Sequence, residues 1–274
     1  MLSLDRLIDQ ALLEDIHTGD ITTQAVMPEK RHASARLIAK EEMVLAGLFV
    51  AERVFHRLNP AISFNSCQPE GGRVLKGDLL ATLTGNASDL LMGERVALNL
   101  LQRLSGIASL TSRYVDAVKG TKARIVDTRK TTPGLRELEK YAVRIGGGIN
   151  HRTGLYDGIL IKENHITAAG GIAIAVSRAR AYIPHTLKIE IETETLIQVH
   201  EALAAGADII MLDNMSLADM RNAVDAIAGR ALVEASGGVN LGSVRSIADT
   251  GVDIISVGAL THSARAMDIS MLLD

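Results

Sequence analysis

Six short apolar runs constrain this chain more than any other feature: ARIVD (123–127), GILIK (158–162), LKIEIE (187–192), DIIML (208–212), ALVEA (231–235) and DIISV (253–257). Each is followed by a stretch of helical periodicity, and strands separated by crossovers of that length can only lie parallel. The composition agrees. Hydrophobic residues make up 47% but aromatic ones only 3%, with no Trp, so the apolar material is the Ala, Leu, Ile and Val of a helix-covered parallel sheet. Six strands fall short of the eight of a complete (β/α)₈ barrel, which leaves an incomplete barrel or an open sheet.

The first hundred residues read differently, as α+β. SLDRLIDQALLEDI and LFVAERVFHRLN carry helical periodicity, ASARLIAKEEMVLAG reads as strand-turn-strand, and ISFNSCQPEGGRVLKGDLLATLTG has strands divided by Gly- and Pro-containing turns. A long helical pattern from Ser88 has a predicted interruption at Ser105-Gly106, and the domain boundary is placed there: residues 1–107, then 108–264 as the α/β barrel.

Charge and cysteine content exclude several functions. With 29 Lys plus Arg against 32 Asp plus Glu, the net charge is −3, the wrong sign for a nucleic-acid binder that also lacks stacking aromatics. Cys67 is alone, so no internal disulfide forms. The start, MLSLDRLIDQ, meets charge at Asp5 and Arg6, and no run of about 18 apolar residues occurs. A soluble, cytoplasmic protein is expected.

In a parallel βα fold the carboxyl ends of the strands share one rim, where such enzymes place their chemistry. Those ends here are Asp127-Thr128-Arg129-Lys130, Lys162-Glu163-Asn164-His165, Glu190 with Glu192, Asp213-Asn214, Glu234 with Ser236-Gly237-Gly238, and Ser256-Val257-Gly258. Arg136, Lys140 and Arg144 recur at helical spacing and read as a solvated helix face. Arg129, Lys130, Arg152 and Lys162, with His151, are not explained that way. Together they make a positive pocket that is unfavourable unless anions fill it. Arg forks suit carboxylates and phosphates, and Lys acts as a point charge. Glu190 and Glu192 share a strand face; with Asp213 they suit sugar hydroxyls or a metal shared with phosphate oxygens. Glu192 reads equally as a cap for the next helix and ranks below Glu190, and Glu234 reads as a structural rim acid. ASGGVN (235–240) and SVGALTHS (256–263) each end a strand and are expected to open a helix, offering backbone N–H groups to phosphate.

These residues resemble a known family. DTRKTTPGLRELEKYAVRIGGGINHR (127–152), KENH, LDN, ASGG and VGALTHS closely resemble quinolinate phosphoribosyltransferases, nearly end to end. The resemblance implies an N-terminal α/β domain on which residues 265–274 pack, and an incomplete barrel of about seven strands. It implies condensation of quinolinate with phosphoribosyl pyrophosphate (PRPP), using Mg²⁺, to give nicotinate mononucleotide, pyrophosphate and CO₂ in NAD biosynthesis. By motif, Arg129, His151 and Arg152 would hold the quinolinate carboxylates, with Thr128 beside them. Lys130 and Lys162 would lie between the two substrates, and Glu190 and Asp213 on the ribose and metal side. Ser236, Gly237 and Gly238, and Gly258, Ala259 and Leu260, would cradle phosphate. The resemblance also implies a homodimer in which Arg95, within GERVALNLL, reaches the neighbouring subunit's site.

Three alternatives stay open at this point. One is an aldolase-type enzyme with Lys162 as Schiff-base nucleophile. Another is a relative of different specificity, for nicotinate or molybdenum-associated; the Arg129, His151 and Arg152 set favours a diacid over a monoacid. The third is a non-catalytic phosphometabolite binder.

Overall fold

The computed structural model of the chain describes residues 2–27 and 31–274. Two compact units are present, Met1–Leu110 with Ala264–Asp274, and Thr111–Ser263.

The first unit is built on β1 (His32–Ala39), β2 (Met43–Val44), β3 (Ser63–Ser66), β4 (Arg73–Val74) and β5 (Leu79–Asn86). β5 lies between β1 and β3, antiparallel to both, while β2 and β4 form a separate pair. β1 alternates strictly, with Ala33, Ala35, Leu37 and Ala39 buried. This is the period-2 pattern of a sheet with one covered face. The core joins Leu37 and Leu83 to Phe55 of the helix Leu48–Leu58, and to Leu90 and Leu101 of the helix Ala87–Ala117. Ion pairs Arg53–Asp5 and Arg57–Asp9 tie the helix Leu2–Ile16 to Leu48–Leu58.

The expected interruption of the long helix does not occur: Ala87–Ala117 runs unbroken through Ser105 and Gly106. The Ser-Gly pair serves contact instead. Ser105 is fully buried and exchanges hydrogen bonds with the Ala46 backbone. A Cβ on Gly106 would stand 1.9 Å from the Arg265 carbonyl oxygen, so only glycine admits the returning chain there.

The second unit contains β6 (Arg124–Val126), β7 (Ile159–Ile161), β8 (Ile189–Thr193), β9 (Ile209–Asp213), β10 (Leu232–Ser236) and β11 (Ile254–Ser256). They form one sheet in the order β6-β11-β10-β9-β8-β7, every pairing parallel. β6 and β7 follow one another in sequence but are not paired, which leaves the barrel incomplete. Ile149 makes a single parallel bridge to Val126, a one-residue seventh strand on the edge of β6.

Parity sorts the side chains. Ile189, Ile191 and Thr193 of β8 are fully buried against the crossover helices, among them Leu196–Ala204, which buries Val199 and Ala202. Glu190 and Glu192 face the other way, into the barrel. β12 (Ile269–Leu273) then pairs antiparallel with β1, from Ala39↔Ile269 to Ala35↔Leu273, within the first unit. Among the described residues no helix is long and apolar enough to cross a membrane.

Candidate active site

The site begins with a buried bracket. Asp127 follows β6 and is fully buried, pointing toward the helix Arg136–Ile145, whose Lys140 ammonium bonds it. Asp127 also accepts from the His151 N–H at 2.9 Å and the Asn150 amide at 2.6 Å, and Lys140 donates to the His151 carbonyl at 2.9 Å. Lys140 is therefore no part of a solvated face, contrary to its sequence spacing. Arg136 is half-buried too, donating to Thr131 Oγ1, the Thr153 carbonyl and the Arg129 carbonyl. Of the three helical cations only Arg144 is exposed.

This bracket fixes two guanidinium groups. Arg129 and Arg152 are both half-buried. Arg152 Nη1 donates to the Gly158 carbonyl at 3.0 Å, but the Nε atoms of both arginines are buried with no hydrogen-bond partner. Burial first, and then the Arg129 charge, hold Arg152 below the usual guanidinium value, against the pull of Glu190 and Asp157. Two neighbouring cations with donors unfilled suit an anion. Beside them, His151 Nδ1 accepts from the Arg152 N–H at 2.8 Å, and Nε2 meets Glu190 Oε2 at 2.9 Å. Burial opposes charge on His151, but Glu190 and Glu234 outweigh it and raise the imidazole above its ordinary value. The Nδ1 acceptor bond favours the ring with its proton on Nε2.

The remaining cations stand at the same ends of the strands. Thr128 Oγ1 accepts from the Lys130 N–H at 3.1 Å, and the Lys130 carbonyl accepts from Thr261 Oγ1 at 2.7 Å. Lys130 is exposed and its chain lies along Gly258, where a Cβ would come 3.2 Å from Lys130 Cδ. Lys162 caps the helix Glu163–Ala169 and pairs with Glu192 at 2.5 Å. Glu192 is thus a mouth residue and no helix cap: Thr195 caps Leu196–Ala204, with Gln198 completing a capping box. Sequence reasoning ranked it below Glu190 because an acid just past a strand resembles a cap; the available signal was its shared parity with Glu190.

Asp213, half-buried at the end of β9, accepts from the Asn214 amide at 3.0 Å. Ser236 is half-buried, and Gly237 and Gly238 have φ of 94° and 59°. A Cβ on Gly237 would lie 2.2 Å from Asn214 Oδ1, so this turn is closed to other residues. It does not open a helix as expected, since the next begins at Val244. Gly258 does precede one, the short turn Ala259–His262, with Ala259 half-buried and Leu260 fully buried. Arg95 belongs to the first unit, exposed on Ala87–Ala117.

A cavity of ≈ 890 Å³ occupies the barrel interior, bounded by His151, Arg152, Glu190 and Glu234 at one end and by Arg124, Lys188 and Asp253 at the strand starts. Lys130, Lys162 and Asp213 do not line it. Arg152, one of the two arginines with an unfilled Nε, is among the residues that line it. Glu234 is not a rim acid: it is 1% exposed inside the barrel. Of the two carboxylates expected to face a metal, Glu190 is buried and held by His151, a poor ligand for a cation that keeps several waters. Asp213 suits such an ion, as one carboxylate supplementing phosphate oxygens.

A parallel barrel whose strand ends carry two guanidinium groups, two lysines and glycine turns suits anionic, phosphorylated ligands. The N-terminal domain family of quinolinate phosphoribosyl transferase matches residues 20–105, and the C-terminal domain family matches residues 107–272. This chain belongs to the quinolinate phosphoribosyltransferase family. It is 47% identical to the probable nicotinate-nucleotide pyrophosphorylase (carboxylating) of Bacillus subtilis, over 98% of this chain and 93% of the relative. It is 43% identical to the chloroplastic nicotinate-nucleotide pyrophosphorylase (carboxylating) of Arabidopsis thaliana, over 99% of this chain and 83% of the relative. NadC from Streptococcus pyogenes superposes with a TM-score of 0.96 at 45% identity, covering 100% of this chain and 97% of that one.

Proposed function

We infer that the chain transfers the phosphoribosyl group of PRPP to quinolinate and releases pyrophosphate and CO₂, giving nicotinate mononucleotide for NAD biosynthesis. One observation carries this reading: Arg129 and Arg152 lie near each other with buried Nε donors unfilled, a receptor for a planar diacid. His151, whose Nδ1 accepts from the Arg152 N–H and whose Nε2 meets Glu190, places Arg152 there. The ring nitrogen is the nucleophile. Its lone pair bonds ribose C1 as the C1–oxygen bond to pyrophosphate breaks, so no side-chain nucleophile is needed. Lys130 and Lys162 stabilise the negative charge that grows on the leaving group, and Glu192 and Asp213 tolerate positive charge on the sugar. Ser236 to Gly238 and Gly258 to Leu260 receive phosphate through backbone N–H groups. Asp213, together with the substrate's phosphate oxygens, would hold Mg²⁺, which would further neutralise the pyrophosphate. With the nitrogen quaternary, the adjacent carbon–carboxylate bond breaks, CO₂ departs, and the electron pair left on the ring carbon takes a proton.

Lys162 does not suit the Schiff-base alternative. It is exposed and paired with Glu192, the reverse of the desolvation that makes a lysine nucleophilic. The test is turnover: with quinolinate, PRPP and Mg²⁺ the protein yields nicotinate mononucleotide and CO₂, and nicotinate in place of quinolinate yields little. Ligand binding without product would reject the reading.

A further inference from the structure

Phosphoribosyl transfer as derived above leaves two buried carboxylates unexplained. Glu190 on β8 and Glu234 on β10 are 4% and 1% exposed, and Oε1 of each is buried without a hydrogen-bond partner. One oxygen of each, together with a ring nitrogen of His151, lies within a span of 4.8 Å, and His151 Nε2 stands 2.9 Å from Glu190 Oε2 and 3.7 Å from Glu234 Oε1. Two ionised carboxylates at that separation repel each other by several kcal/mol even at an effective dielectric constant of about 20, and both orphan acceptors stay unfilled. One proton on the pair removes both problems, because a carboxyl can donate to the neighbouring carboxylate. His151, Glu190 and Glu234 are also the donor types of a divalent-metal site. But Arg152, Arg129 and Lys140 already bring positive charge to His151 and its neighbour, which disfavours a cation there.

Of the two acids, Glu234 is the one to hold the proton. Glu190 faces the His151 ring N–H and the Arg152 charge, whereas Glu234 has the Ser256 hydroxyl and the more distant His151. Burial, and then the Glu190 charge, push Glu234 up to about 8, against His151 and Ser256. We propose that Glu234 is a positioning residue: protonated in the working enzyme, it hydrogen-bonds Glu190, so that Glu190 fixes the His151 ring and, through Nδ1, the Arg152 backbone at the diacid pocket. This rests on the reading that Arg129 and Arg152, the latter placed by His151, hold quinolinate.

The test compares Glu234→Gln and Glu234→Ala with the wild type, following KM for quinolinate and for PRPP as pH crosses about 8. Glutamine keeps a donor toward Glu190, so E234Q should hold the quinolinate KM within about threefold, whereas E234A should raise it about tenfold or more, the loss of one buried charged contact. The PRPP KM should stay unchanged in both. The wild-type quinolinate KM should rise on the alkaline side, and that rise should vanish in E234Q. Infrared difference spectra of the unliganded proteins, wild type minus E234Q, should show a protonated carboxyl band at neutral pH, which stands even if E234A fails to fold. An E234Q variant as impaired as E234A, an alkaline rise that persists in E234Q, absence of the band, or a stoichiometric divalent metal in purified protein would each overturn the proposal. Arg152→Ala in the same assay separates the two readings. An unmoved quinolinate KM there sinks the diacid pocket itself; a raised one, with silent Glu234 variants, sinks only the role of Glu234.

Discussion

On the proposed function, Arg152 weakens the fold in favour of the site. Its buried Nε has no acceptor and its charge faces Arg129, an arrangement that costs stability, on the order of 1–3 kcal/mol for an unfilled buried donor. Arg152→Ala should therefore leave the melting temperature unchanged or raise it, while lowering kcat/KM for quinolinate by about a hundredfold, the 2–5 kcal/mol of a lost buried charge contact. A variant with wild-type turnover would remove Arg152 from the site. At this scale Arg129, Lys130 and Lys162 are legible as cations that follow strands, whereas Arg152 lies in the loop after three glycines and carries no such mark. The sequence was poor on their partners. The Lys162–Glu192 pair joins residues 30 positions apart, and whether Glu192 caps a helix or meets a lysine depends on how two neighbouring strands register.

Among the elements, the helix Arg136–Ile145 was placed correctly by its periodicity and misjudged in its burial. Lys140 lies on the side that meets β6, and periodicity cannot say whether a lysine on the boundary of an apolar stripe finds a buried acid. The Lys140–Asp127 pair has side chains 3% and 0% exposed. Lys140→Ala leaves Asp127 in the interior without its counter-charge and should destabilise the chain by roughly 3–5 kcal/mol, read by urea denaturation; a loss below 1 kcal/mol, the size of a surface pair, would contradict the bracket. The same helix–strand clamp positions His151, so quinolinate turnover should fall with it. The six parallel strands were legible because each is a short apolar run between helices. The one-residue bridge at Ile149 was not, since a single pairing after three glycines leaves no periodicity to read.

At the scale of the molecule, the chain leaves its first unit, builds the barrel and returns as β12 beside β1. No pattern in ISMLL itself names β1 as its partner; that return came from the family resemblance. The proposed homodimer, with Arg95 acting on the neighbouring subunit's site, likewise rests on resemblance, supported by the exposure of Arg95. If sites are shared, mixing inactive Arg95→Ala and Lys130→Ala chains should restore activity, up to about a quarter of wild type for statistical pairing with one intact site per heterodimer; verified heterodimers without activity would refute sharing. The account depends most on the mouth of the barrel being a receptor for two adjacent carboxylates. Calorimetric titration of pyridine-2,3-dicarboxylate and of pyridine-3-carboxylate into the wild-type protein measures this directly. The diacid should bind about tenfold more tightly or better, at least 1.4 kcal/mol; equal affinities, or preference for the monoacid, would contradict it.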